Sequence, residues 1–222
     1  MNNIIEQYDL FIFDLDDTIV KTEHIHYESW LLALEYMLGY KYYIKPNEFY
    51  SIFHSNYQNS IKDYLKNTHN IAHEEIIKKK DKIYFDLINK LKNEIKMIDG
   101  CENFINKIIE NNKKFIIVSN TVKEQIDFFS DLFPILKKST KNYYRELLKT
   151  KKPNPECYLK VLDDFPNLKK VGFEDSITGI HAITRVPEIK AYYINSNKYV
   201  HHNFILENYN VLHINNYNDL MW

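Results

Sequence analysis

Apolar and polar positions divide this chain into two kinds of element. Short, unbroken apolar runs occur at Tyr8 to Phe13, Lys114 to Val118, Val171 to Phe173, Ala191 to Ile194 and Val211 to Ile214. Such runs suit strands that are buried on both faces of a parallel sheet. Between them, apolar residues recur three and four apart, which predicts helices over Glu102 to Asn111, Lys123 to Phe129, Glu156 to Leu162 and Gly179 to Thr184. Strand and helix in alternation predict an α/β fold, a doubly wound parallel sheet with helices on both faces.

Residues 22–97 break that rhythm. Helices are predicted over His26 to Leu38, from Pro46 onward, over Ser60 to Leu65 and over His73 to Leu91, with no strand pattern among them. The last has Ile76, Ile77, Ile83, Tyr84, Leu87, Ile88 and Leu91 on its apolar side, and its lysines read as a solvated face. The chain therefore reads as an α/β core of residues 1–21 and 98–222, interrupted by a helical insertion at 22–97.

Composition narrows the function. The 222 residues are 45% hydrophobic and 27% charged, enough for a packed core. A net charge of −1 provides no basic field for a nucleic-acid partner. The four glycines form neither a dinucleotide fingerprint nor a phosphate-binding P-loop. Cys101 and Cys157 are too few and too far apart to frame a metal site. No basic start precedes an apolar run at the N-terminus, and no run approaches the ~20 apolar residues of a membrane helix. The expectation is a cytoplasmic protein with neither membrane nor nucleic acid as partner. Nothing in the pattern marks an oligomeric state.

Polar residues gather where the predicted strands end. Asp14, Asp16 and Asp17 follow the first strand, Ser119 and Asn120 follow Val118, and Glu174 and Asp175 follow Phe173, while Lys152 precedes Pro153. The carboxyl ends of parallel strands share one edge, where ligands bind. Carboxylates crowded together repel unless a cation lies between them, their work is divided, or solvent separates them. Each group also has a plainer reading: a solvated turn for the aspartates, helix caps for Ser119 and the Glu174–Asp175 pair, a surface lysine for Lys152. Together, the acids, a hydroxyl and one cation suit phosphoryl transfer with a hard divalent ion.

In this arrangement the sequence resembles the haloacid dehalogenase superfamily, in the subgroup with a helical cap inserted after the first motif. Asp14-Leu15-Asp16-Asp17-Thr18 is similar to D-x-D-x-T, and Val118-Ser119-Asn120 to the strand ending in Ser or Thr. Lys152-Pro153 is similar to the third motif, and Gly172-Phe173-Glu174-Asp175-Ser176 with Gly179 to the acidic fourth.

The resemblance implies a Mg2+-dependent phosphatase acting on a small phosphorylated metabolite through an aspartyl-phosphate. Asp14 would be nucleophile and metal ligand, and Asp16 general acid/base with its backbone carbonyl on the metal. Asp175 and Glu174 would complete the metal site. Ser119, Asn120 and Lys152 would hold the phosphoryl group, and Thr18 would brace the loop. His26 and Trp30 resemble hinge-side residues of β-phosphoglucomutase and are candidate substrate or hinge residues, though cap core is their plainer reading. A sugar-phosphate mutase of that kind is one alternative, weakened because no arginine occurs within 22–97 and because Val122 stands where a lysine is usual. A catalytically idle binding protein is the other. Tyr27, Tyr50, Asn56 and Gln58 are candidates for lining the substrate side of the cap.

Overall fold

The structure, a computed structural model, describes residues 3–53, 58–195 and 202–222. Asn56 lies outside the described residues, as does the side chain of Gln58. The chain starts with one helical turn, α1 (Ile4–Gln7), where the Asn3 side chain accepts from the Ile5 amide at 2.9 Å. It runs into β1 (Leu10–Phe13) and then four helices: α2 (Glu23–Leu38), α3 (Pro46–Phe53), α4 (Gln58–His69) and α5 (His73–Lys90). Alternation resumes with α6 (Cys101–Glu110), β2 (Lys114–Val118), α7 (Lys123–Leu132), β3 (Asn142–Tyr143), α8 (Glu156–Asp164) and β4 (Lys170–Glu174). It ends with α9 (Ile177–Thr184), β5 (Ile189–Ile194), α10 (His202–Asn208) and β6 (Leu212–Ile214).

The strands form one six-stranded sheet in the order β3-β2-β1-β4-β5-β6, and every pairing is parallel. All four residues of β1 are buried, as expected of a central strand. Because side chains alternate along a strand, β1 serves two cores. Leu10 and Ile12 pack with Ile116, Val118, Val161 and Ile183. Phe11 and Phe13 enter an aromatic cluster, where Phe13 stacks on Phe173 at 5.0 Å and Phe104 of α6 stacks on Tyr217 at 5.4 Å. β3 was not apparent in the sequence. Its two residues carry no apolar run, and pairing with Ile117 and Val118 defines it.

The described chain divides into two compact units: residues 3–21, 96–195 and 202–222 in one, 22–53 and 58–95 in the other. At the boundary of the sheet unit, Lys21 donates its amide to the Lys96 carbonyl at 2.9 Å, and Val20 bridges Met97 in antiparallel fashion.

The helical unit has its own core, built from Trp30, Ala33, Leu34, Phe49, Tyr50, Leu65 and Ile76. Gly39 ends α2 with φ 75°, a left-handed cap that glycine adopts without a Cβ penalty, and its amide bonds to the Glu35 carbonyl at 2.9 Å. The buried stripe of α5 is Ile76, Lys80, Tyr84 and Ile88, four apart. Lys80 therefore departs from the solvated lysine face expected for this helix. Its ammonium lies 3.0 Å from His26 Nδ1, and the His26 ring stacks on Tyr84 at 4.2 Å. No described helix is long and apolar enough to cross a membrane.

Candidate active site

The ends of β2, β1 and β4 lie side by side, because the strand order makes them neighbours. Asp14 follows β1 directly, and its amide donates to the Phe173 carbonyl at 3.1 Å, which ties it to the end of β4. The chain then turns back on itself through Ile19 and Val20 amides that reach the Leu15 carbonyl at 2.9 and 3.0 Å. Asp17 takes φ 49° in this turn, the left-handed region that short polar side chains tolerate best after glycine. Thr18 is fully buried, donates from its hydroxyl to Asp175 Oδ1 at 3.3 Å, and accepts on its carbonyl from the Tyr217 hydroxyl at 3.1 Å.

Lys152 occupies the centre of the cluster. Its ammonium donates to Asp14 Oδ1 at 2.7 Å, Glu174 Oε1 at 2.6 Å and the Val118 carbonyl at 2.6 Å. All three protons are thus placed, and the residue is buried while Lys151 is exposed. Asn120 sets the backbone of Lys152. Its Oδ1 accepts from the Lys152 amide at 2.9 Å, and its Nδ2 donates to the Lys152 carbonyl at 3.2 Å. The Asn120 side chain, expected in the phosphate cradle, is therefore engaged in bracing the lysine. The Lys152–Pro153 peptide bond is cis.

Electrostatics match the crowding. Burial pushes the Asp14 carboxyl well above the usual carboxylate range; the Lys152 charge pulls it back, and the Glu174 charge raises it again. Burial lowers Lys152, but the charges of Asp14 and Glu174 outweigh that and hold it above the ordinary lysine value. Glu174 is fully buried. Its Oε1 also accepts from the Tyr158 hydroxyl, which burial and then the Glu174 charge keep protonated. Its Oε2 has no hydrogen-bond partner. Asp14, Glu174 and Asp175 each offer an oxygen within 4.8 Å of the others, and Lys152 bonds the first two. Burial pushes the neighbouring Cys157 thiol up to about 12, which leaves it inert.

Asp16 turns to a different partner. Gln125 Nε2 donates to both of its carboxylate oxygens, at 3.0 and 3.1 Å, and Gln125 Oε1 accepts from the Thr121 hydroxyl. The Asp16 side chain is not among the three clustered acids.

Two expected caps take other forms. Ser119 was read as capping the helix after β2, but α7 begins at Lys123 with Val122 as its cap residue, and no side chain of Val122 can serve. The Glu146 carboxylate accepts the Lys123 amide instead, at 3.2 Å. Ser119 Oγ accepts from the Thr121 amide at 3.2 Å. In α9 the cap is Ser176, whose hydroxyl accepts from the Gly179 amide at 3.1 Å, so neither Glu174 nor Asp175 is used for capping. His26 and Trp30 belong to the helical unit, where Trp30 is core and His26 contacts Lys80. Three residues escape sequence reading: Gln125, Tyr158 and Lys80. Each sits on an amphipathic helix or loop, where its residue type has no distinguishing spacing.

The family model for haloacid dehalogenase-like hydrolases matches residues 11–186, and the chain belongs to that family of enzymes. Several solved structures share the fold. A HAD hydrolase, family IA, variant 3 from Entamoeba histolytica is 21% identical, covers 96% of this chain and 95% of its own, and superposes with a TM-score of 0.78. CbbY from Rhodobacter sphaeroides in complex with xylulose-(1,5)bisphosphate is 16% identical over 92% of this chain and 93% of its own, with a TM-score of 0.73. A HAD family hydrolase from Deinococcus radiodurans with bound phosphate and sodium is 17% identical over 93% and 90%, with a TM-score of 0.68. Among curated protein sequences, none matches this chain significantly.

Proposed function

We propose that this protein is a Mg2+-dependent phosphatase of small phosphorylated metabolites that works through an aspartyl-phosphate on Asp14. One observation carries the reading: a buried Asp14 is held by Lys152 between two further acids, Glu174 and Asp175, at the ends of adjacent parallel strands. The residues present fit a hard divalent cation. The donors are all oxygens, the one lysine among them bonds only Asp14 and Glu174 of the three acids, and one buried oxygen, Glu174 Oε2, lacks a partner. Asp14, Asp175 and Glu174 would hold the ion, with the Asp16 backbone carbonyl as the fourth protein ligand. The bound ion would supply positive charge against the phosphoryl oxygens.

The chain's own residues divide the remaining work. Lys152 keeps the Asp14 carboxylate oriented and offsets its charge as the phosphate approaches. Asp14 attacks phosphorus, and the bond from phosphorus to the leaving oxygen breaks as the new bond forms. Asp16 gives that leaving oxygen its proton and later takes one from the water that releases phosphate from Asp14. Ser119, together with the Asn120 backbone, receives the phosphoryl oxygens. Residues 22–95 serve as the cap that excludes water and selects substrate. The bisphosphate and phosphate bound by the two neighbours named above support a small anionic substrate.

A panel of phosphorylated metabolites, assayed for phosphate release with and without Mg2+, tests the reading. Metal-dependent release is expected from at least one, and loss of it in Asp14→Asn with an unchanged melting midpoint. Release at wild-type rates by Asp14→Asn, or none from any substrate, contradicts it. β-Glucose 1-phosphate belongs in the panel, because its conversion to glucose 6-phosphate would replace hydrolysis with mutase chemistry.

A further inference from the structure

Thr121 and Gln125 are both buried, yet neither belongs to the motifs described above. Buried polar side chains are retained at a desolvation cost unless they are bonded. These two are bonded to each other and to Asp16. The polarity of that chain is fixed by chemistry. The amide nitrogen of Gln125, a donor only, faces both carboxyl oxygens of Asp16. Its carbonyl oxygen then faces Thr121, whose hydroxyl must donate. Thr121 further donates its backbone amide to Ser119 Oγ at 3.2 Å. One continuous path therefore links the hydroxyl after β2 to the carboxylate after β1.

We infer that Gln125, oriented by Thr121, is a positioning residue that sets the Asp16 carboxyl for proton delivery to the leaving group. The inference rests on the acid/base reading of Asp16. Gln125 touches neither substrate nor phosphorus. It grips both Asp16 oxygens and so restricts rotation of the carboxyl. In the step concerned, the phosphorus–leaving oxygen bond breaks, the Asp14 oxygen–phosphorus bond forms, and the Asp16 proton passes to the leaving oxygen. A leaving group that departs as a stable anion needs no such proton. p-Nitrophenyl phosphate is of this kind, whereas an alkyl phosphate such as glycerol phosphate leaves as an alkoxide unless protonated. Loss of Gln125 therefore falls selectively on alkyl phosphates, which a general loosening of the site would not produce.

The test compares kcat/KM for the two substrates, since this ratio reports steps up to the first irreversible one and leaves out hydrolysis of the intermediate. Gln125→Leu is expected to lose about tenfold more on the alkyl than on the aryl ester, a fraction of what a general acid contributes. Thr121→Val should show the same selectivity, and Thr121→Ser, which keeps the hydroxyl, should restore it. Equal losses on both esters, or no rescue by serine, overturn the inference. If Gln125→Leu does not fold, the Thr121 pair decides the matter. Asp16→Asn separates the two layers. Selectivity there but not in Gln125→Leu refutes only the positioning role, and its absence in Asp16→Asn refutes the acid reading beneath it.

Discussion

A Cβ on Gly179 would lie 1.8 Å from Glu174 Oε2 and 2.7 Å from Oε1. The carboxylate cannot step aside, because its other oxygen is held by Lys152 and Tyr158 and the side chain is fully buried. The glycine in the fourth motif is thus a steric requirement of the acid five residues before it. Gly179→Ala is expected to displace Glu174 or shift α9, at a cost of about 1–3 kcal/mol for overpacking, and to lower kcat/KM at least about tenfold through the disturbed lysine. Thermal melting and steady-state kinetics check it, and an alanine variant with normal values would mean the carboxylate sits elsewhere. At this scale the sequence was informative where chemistry is concentrated in short motifs. Asp14, Lys152, Glu174 and Asp175 announced themselves by following predicted strands or preceding a proline. Gln125 did not, because its partner Asp16 is 109 positions away and a glutamine on an amphipathic helix looks like any other.

The helix α5 carries the element-scale lesson. A stripe four residues apart places Lys80 among Ile76, Tyr84 and Ile88, although five lysines in this helix made a solvated face the natural reading. Periodicity locates the stripe, and residue type then misassigns one member of it. Burying an ammonium beside a histidine costs desolvation that the neighbouring Asp81, at 3.7 Å and partly exposed, offsets only in part. Lys80→Met is therefore expected to leave the helical unit at least as stable as before, read by hydrogen exchange of the α2 and α5 amides. Faster exchange in the variant would show that the lysine stabilises the unit. Elements with long apolar runs or clear helical periods were legible, β1, β2 and β4 among them. The two-residue β3 and the single turn α1 were not, since tertiary pairing and capping define them rather than local pattern.

For the whole molecule, the parallel sheet turns sequence distance into contact. Lys152 and Asp14 are 138 positions apart and meet because the loop between β3 and α8 brings Lys152 to the end of β1. The same edge gathers three acids, two of them bonded to that lysine, and burial raises the Asp14 carboxyl. Alternating strand and helix patterns disclosed this topology. The helical insertion was visible as a change of period, whereas a substrate preference leaves no such mark in the sequence. The central claim is that Asp14 carries the phosphoryl group between substrate and water. Quenching the Mg2+-loaded protein during turnover of a substrate from the panel, reducing it with borohydride and sequencing the peptides tests this directly. An aspartyl-phosphate at Asp14 is reduced to homoserine at that position. Steady turnover with an intact Asp14, or with the reduced residue at any other position, would contradict the account.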